Sequence, residues 1–229
     1  MSRATDGRPP AGASRDTAAA SSEGSAAAAV VSVAFPTVPG LSASHLPRAL
    51  TALGAPDVRW NLPLGARASA VLMLFVPGPA ATSPASLVLI RRSTTVRSHR
   101  GQLGFAGGRA EAGDEGPAAT ALRETEEELG IPRGEIGVVG LLPSLKGRDG
   151  SSIVPVVAVA AVERGALRPS AAEVAEVLLE PWTTFADGRA HRFNFNMFGH
   201  WRRSHLYPIA GGSVWGLTAQ IIADAHLTP

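Results

Sequence analysis

The sequence contains no cysteine, one tyrosine and a single lysine, Lys146, in 229 residues. Without cysteine there is no disulfide, no thiol nucleophile and no thiolate zinc site, and any redox compartment suits the chain. No apolar run approaches the roughly 18 residues that a membrane span requires. The longest candidate, residues 26–35, is short and is interrupted by Ser32. No internal repeat of useful length stands out. The net charge of +2 is near neutral although the pI is about 9.9. So few groups titrate between histidine and arginine that the pI climbs without a basic surface, and it gives no reason to expect nucleic acid as a partner. What the chain does have is an apolar fraction of 45%, enough for a buried core. Its length fits one ordinary domain with a tail.

Residues 1 to about 43 are rich in Ala, Ser, Gly and Pro, with almost no large apolar side chain before Val30. Such a stretch buries too little to offset chain entropy, so a disordered tail is expected ahead of a domain at 44–229. Arg3, Arg8 and Arg15 among Ser and Ala also suit an organellar transit peptide, which Asp6, Asp16 and Glu23 oppose; the expected compartment is cytoplasmic or mitochondrial. Beyond the tail, Leu46, Leu50 and Leu53 recur at helical spacing over 44–53. The apolar runs 68–76, 86–90, 136–142 and 153–162 read as strands, with 144–152 a polar rim loop. Residues 171–179 read as a helix ended by Pro181, 191–198 as a half-exposed strand, and 213–227 as a strand end running into a closing helix. Helices and strand pairs in this order predict an α/β or α+β fold, with a mixed sheet between helices.

The chain is organised around residues 101–131, GQLGFAGGRAEAGDEGPAATALRETEEELGI. Pro117 suits a first helical position, Asp114 or Glu115 the cap, and Gly130 with Pro132 the stop. At about 100° per residue, Ala118, Leu122, Thr125 and Leu129 form an apolar stripe, and Glu124, Glu127 and Glu128 share an arc on the opposite side. Glu115 and Glu126 point elsewhere. A charge run alone is usually a solvated helical face. Three like charges on one arc repel unless a cation neutralises them, and here glycines stand next to them. Oxygen donors without nearby His or Cys favour Mg²⁺ or Mn²⁺ over zinc. Arg123 is placed to hold one carboxylate with a forked hydrogen-bond pair.

Arg123-Glu124-Thr125-Glu126-Glu127-Glu128-Leu129-Gly130-Ile131 resembles the second half of the Nudix box, REUxEExGU. In the general box the opening glycine falls at position 109, which here is Arg; Gly108 lies one residue upstream. The coenzyme A pyrophosphatase branch of the Nudix hydrolases has this longer spacing and a GGxxExxD start, which Gly107, Gly108, Glu111 and Asp114 match. The branch's HxGQ and FPGG segments are similar to His99-Arg100-Gly101-Gln102 and Phe105-Ala106-Gly107-Gly108, with Ala106 in place of proline. Glu173-Val174 and Trp215-Gly216-Leu217-Thr218-Ala219 extend the likeness, which covers about residues 68 to 227.

The resemblance implies an α/β/α sandwich around a mixed sheet. It implies hydrolysis of coenzyme A or acyl-coenzyme A at the pyrophosphate, giving 3′,5′-ADP and 4′-phosphopantetheine or its acyl form. Glu124, Glu127 and Glu128 would hold Mg²⁺ or Mn²⁺, with the Gly107 carbonyl as a further ligand, and Arg123 would orient a glutamate. The base would be Glu124 or Glu128 ahead of Glu173. Arg91, Arg92, Arg97 and Arg100, with His99 and Gln102, are candidates to meet substrate phosphates. Trp215 reads as core packing, and residues 201–205 as a substrate-facing loop or a hairpin tip. A monomer or homodimer is expected, with no membrane partner. The alternatives are a Nudix enzyme for ADP-ribose, NADH or dinucleoside polyphosphates, and a non-catalytic nucleotide-binding module.

Overall fold

The computed structural model describes residues 36–46, 50, 53, 59–60, 67–96, 98–147, 150–186, 189–197 and 200–227. The tail and transit-peptide readings up to residue 35, and Arg97, lie outside the described residues. The elements in order are β1 (Ala68–Val76), β2 (Ser86–Arg92), β3 (Leu103–Gly104), β4 (Ala106–Arg109), α1 (Pro117–Leu129), β5 (Ile136–Leu141), β6 (Leu145–Lys146) and β7 (Ser152–Ala160). Then come β8 (Val174–Pro181), β9 (His191–Met197), β10 (His200–Ile209), β11 (Gly212–Trp215) and α2 (Gly216–Leu227).

The main sheet runs β3-β2-β1-β7-β5, with β4 on β1, β6 on β7 and β8 on β2. β1 and β7 are parallel from Ala68↔Ser152 to Phe75↔Val159, and the other pairs are antiparallel, so the sheet is mixed. Central strands covered on both faces need unbroken apolar runs, and β1 and β7 have them. Met73, Phe75, Leu87 and Leu89 point into one core with Ile221 and Ile222 of α2; Leu72, Leu74, Val88 and Ile90 point into another with Ala121 and Leu129 of α1. This is an α/β/α arrangement. A second sheet, β11-β10-β9, packs Tyr207 and Val214 into the α2-side core.

The acidic helix meets the sheet where β1 changes partner. Its Phe75–Val76 end pairs with β2, while Ser69 to Leu72 pair with β4. The glycine strand β4 thus fills the gap where β2 and β1 splay, and α1 lies across it.

Several expectations need correction. Residues 174–181 form strand β8, not a helix. The register on β2 steps from Arg91↔Glu176 to Arg92↔Val174, so a bulge inserts Ala175. The extra residue brings Val174 and Val177 to one core while Leu178 faces the other, and this spacing of three and four imitates a helix. Gly116, not Asp114 or Glu115, is the N-cap of α1, and it makes no side-chain cap bond. The helix buries Thr120, Ala121, Thr125, Glu128 and Leu129, while Ala118 and Leu122 are only partly covered. Trp215 is 47% exposed and its neighbour Val214 takes the core position. Residues 201–205 lie within β10. In 44–53 a 3-10 turn covers Ala43–His45, and Leu46, Leu50 and Leu53 are buried.

Gly130 ends α1 in the left-handed conformation at φ 69°, its N–H donating to the Glu126 carbonyl. A Cβ there would lie 2.7 Å from Cβ of Arg168. Gly130→Ala should therefore cost about 1–2 kcal/mol through strain, more if Arg168 cannot move. Urea denaturation with an unchanged m value would report it.

Candidate active site

Two glycines let the acidic helix come down onto the sheet. Gly107 adopts φ 151°, and a Cβ there would strike the backbone of Ala70 and Val71. A Cβ on Gly108 would occupy the place of the Glu124 carboxylate. A side chain at Gly107 would force β1 to move, and one at Gly108 would displace the Glu124 carboxylate.

Glu128 is the most enclosed carboxylate, its side chain 1% exposed. One oxygen, Oε2, accepts the Gly107 N–H at 3.0 Å, and the other, Oε1, accepts Nη1 of Arg92 at 3.3 Å. Burial pushes its pKa up to about 7; the Gly107 N–H and Arg92 pull against this, and the charges of Glu124 and Glu173 add to it. Burial also raises Glu124, opposed by Arg123 and reinforced by Glu127 and Glu173.

Arg123 ties the remaining acids together. Its Nε and Nη2 donate to Oδ1 and Oδ2 of Asp114 at 3.2 and 3.1 Å, the forked pair that a guanidinium makes best. Nη1 donates to Glu124 at 3.0 Å and to Glu127 at 3.2 Å, and Nη2 also reaches the Arg109 carbonyl at 2.8 Å. The hydrogen bond to Asp114, despite burial, holds the guanidinium still more firmly protonated. Burial alone would raise Asp114, but bonds from Arg123, the Glu111 N–H and Thr120 bring its pKa below the ordinary value. Asp114 is the partner that sequence reasoning missed. The GGxxExxD pattern marks it, but its role depends on a contact across nine residues that helical periodicity cannot show. Trp60 braces this group, its indole N–H donating to Thr120 Oγ1 at 3.2 Å.

The structure brings Glu124, Glu127, Glu128, Arg123 and Gly107 together. Glu173 is exposed, but its backbone is fixed between two parts of the site. Its carbonyl accepts the Ser93 N–H at 2.7 Å, and the same turn reaches the end of α1 through the Ser170 N–H on the Glu128 carbonyl.

The basic candidates separate. Arg91 lies on the α2 side, bonded to Glu176 at 3.0 Å and to the carbonyls of Gly211 at 2.5 Å and Gly101 at 3.5 Å. Arg92 turns to the α1 side and meets Glu128. His99 (φ 58°) and Gln102 bond each other at 2.9 Å in the turn after β2, and Arg100 donates to the Val96 carbonyl at 2.7 Å. Glu126 and Glu115 form surface ion pairs with Arg133 and Arg59.

Among the described residues no three acidic or histidine side chains form a ready cation cage. The carboxylates are turned instead onto Arg92, Arg123 and the Gly107 N–H. The donor set still fits a hard cation. Glu124, Glu127 and Glu128 are oxygen donors crowded on one turn, and burial already works against the ionised form of two of them. A cavity of about 410 Å³ beside the turn is lined by Trp60, Arg67, Arg109, Glu111 and Asp114, and not by these glutamates.

Comparison with known proteins gives the family. The NUDIX domain model matches residues 67–199. The chain belongs to the Nudix family. The Nudix hydrolase NudL of Photorhabdus laumondii is 37% identical over 158 residues, covering 68% of this chain and 81% of that one. NudL of Escherichia coli K12 is 34% identical over 165 residues, covering 72% and 83%. Among solved structures, a MutT/nudix family protein from Enterococcus faecalis aligns with TM-score 0.45 and 19% identity over 72% of this chain and 63% of that one. The protein is therefore a Nudix pyrophosphohydrolase, an enzyme class acting on nucleoside diphosphate derivatives and generally requiring a divalent metal.

The buried Nudix-helix carboxylate predicts a pH dependence. Glu128 titrates near 7 in the folded, metal-free protein and near 4.3 when unfolded, so the folded state binds the extra proton between these values. Its stabilising contribution is full below about pH 4.3 and is lost as the pH rises through about 7, a change on the order of 3–4 kcal/mol. Glu124 acts in the same direction. Urea denaturation in EDTA should show stability falling from pH 5.5 to 8, and Glu128→Gln should flatten that fall.

Proposed function

We propose that this Nudix enzyme hydrolyses the pyrophosphate of coenzyme A or acyl-coenzyme A, releasing 3′,5′-ADP and 4′-phosphopantetheine or its acyl form. The carrying observation is the lengthened start of the box. Gly108 admits the Glu124 carboxylate, Gly107 lies close against β1, and the turn from Glu111 to Asp114 delivers the fork that holds Arg123. That spacing resembles the coenzyme A branch and departs from the general box. The HxGQ segment supports the same reading, since it folds at the end of β2 with the Gly101 N–H on the Arg92 carbonyl and the Arg92 N–H on the Gln102 carbonyl.

In this reading Glu124, Glu127 and Glu128, with the Gly107 carbonyl, hold Mg²⁺ or Mn²⁺. When bound, the cation screens the pyrophosphate and makes a water acidic enough to attack phosphorus. Arg123 orients Glu124 and Glu127. Glu124 or Glu128 takes the water proton, ahead of Glu173. His99, Arg100 and Gln102, with Arg97, which lies outside the described residues, are the groups this reading assigns to the substrate phosphates. Arg91 serves the substrate by fixing the Gly101 turn. Among the described residues no helix is long and apolar enough to cross a membrane. The bacterial relatives favour a cytoplasmic over a mitochondrial setting.

Purified protein with Mg²⁺ or Mn²⁺, offered coenzyme A, ADP-ribose, NADH and diadenosine polyphosphates, should release 3′,5′-ADP from coenzyme A in preference to cleaving the others. Selective cleavage of another substrate would keep the chemistry and discard this specificity. Glu128→Gln should lower kcat by more than about a hundredfold while the far-UV circular dichroism is unchanged.

A further inference from the structure

The end of β2 carries two arginines, and strand alternation sends them to opposite faces of the sheet. Arg91 uses its Nε and both terminal nitrogens on Glu176, Gly211 and Gly101. Arg92 is held quite differently. Its backbone is fixed at both ends of the peptide unit by the Gly101–Gln102 turn. The bulge between β2 and β8 falls at this point, a device that re-aims side chains at strand ends. Yet among the described residues its guanidinium makes one hydrogen bond, from Nη1 to Glu128 at 3.3 Å, where a carboxylate would accept a fork. Nε is buried and makes no hydrogen bond among the described residues. A buried donor left unmade is costly. The head group is thus half engaged on a rigid base. The other guanidinium at the carboxylates, Arg123, is locked on Asp114 and has no such freedom.

We propose that Arg92 is an exchangeable counter-cation: it covers Glu128 while the glutamates hold no divalent ion, and it turns its fork to a substrate phosphate once such an ion takes Glu128. This rests on the cation site proposed above. A divalent ion at Glu128 would stand within a few ångströms of the guanidinium and repel it. A phosphate offers the planar fork the bidentate partner that Glu128, already bonded to Gly107, does not.

The two halves predict effects of opposite sign. Without substrate, Arg92→Met should bind Mn²⁺ about tenfold more tightly, because a competing positive charge is gone. With Mn²⁺ saturating, the same variant should bind the non-hydrolysable pyrophosphate analogue imidodiphosphate about tenfold more weakly. Arg92→Lys keeps the charge without the fork; it should bind Mn²⁺ as wild type does and still bind imidodiphosphate more weakly. If Arg92→Met does not fold, the lysine variant carries the test alone. A purely structural role would weaken both affinities together in Arg92→Met. That result, unchanged Mn²⁺ affinity in Arg92→Met, or unchanged imidodiphosphate affinity in either variant would overturn the proposal. Wild-type protein that binds no Mn²⁺ by titration calorimetry would instead remove the cation site and this inference with it.

Discussion

The fork from Arg123 to Asp114 is the interaction on which the active region depends. Four acids surround one guanidinium whose side chain is 10% exposed: Asp114, Glu124 and Glu127 within hydrogen-bond reach, and Glu111 at 3.8 Å. Buried ionic groups contribute little net stability, but leaving one unpaired costs about 3–5 kcal/mol. The network is therefore closed by necessity. Asp114 also accepts from the Glu111 N–H and from Thr120, so the fork fixes the turn before the helix as well as the first half of the helix. This gives the extra residue before the helix a physical meaning. The turn must be long enough for Asp114 to reach back beneath the helix that follows it.

The glycines answer to a second constraint, the depth at which the helix lies. β4 occupies a gap that opens because β1 gives up β2 after Phe75 and Val76. With no side chain at Gly107 or Gly108, the carboxylates of Glu124 and Glu128 rest almost on the strand backbone, and the Gly107 N–H becomes a ligand for Glu128. The same closeness that orients the acids desolvates them. Orientation and raised pKa are two consequences of one packing distance.

These facts bear on what a sequence can reveal. The ends of α1 follow from Pro117 and Gly130 because capping is local chemistry. β1 follows from an unbroken apolar run because both of its faces are covered. The acidic helix and its glycines were visible for the same reason: the spacing lies within one turn or two. β8 was not, since one bulged residue turned a period of two into a pattern of three and four. Trp215 is exposed and not in the core as expected, because the register of a short edge strand is set by its partner, Tyr207 opposite Val214, and not by its own composition. Asp114 looked like a helix cap because Asp is a good cap. Only the fold shows that a guanidinium nine residues away is the stronger partner. Local rules were sound wherever local energy decided the outcome.

The three arginines of the site share one chemistry and differ in how much of it is already used. Arg123 is saturated, and it acts as a fixed part of the frame. Arg91 engages all three of its nitrogens on the opposite face, where it joins β8, the Gly101 turn and the turn at Gly211 that leads into β11. Through it the small sheet, with its exposed Trp215, is fastened to the same turn that carries His99 and Gln102. Among the described residues the Nε of Arg92 stays unpaired between these two fixed points. Under the proposed function the site takes a cation and then an anion in the same few ångströms, which calls for rigid charge to set positions and one adjustable charge to follow the change. The sheet supplies both from adjacent residues of one strand, because alternation gives each arginine its own face and a bulge gives the second one its aim.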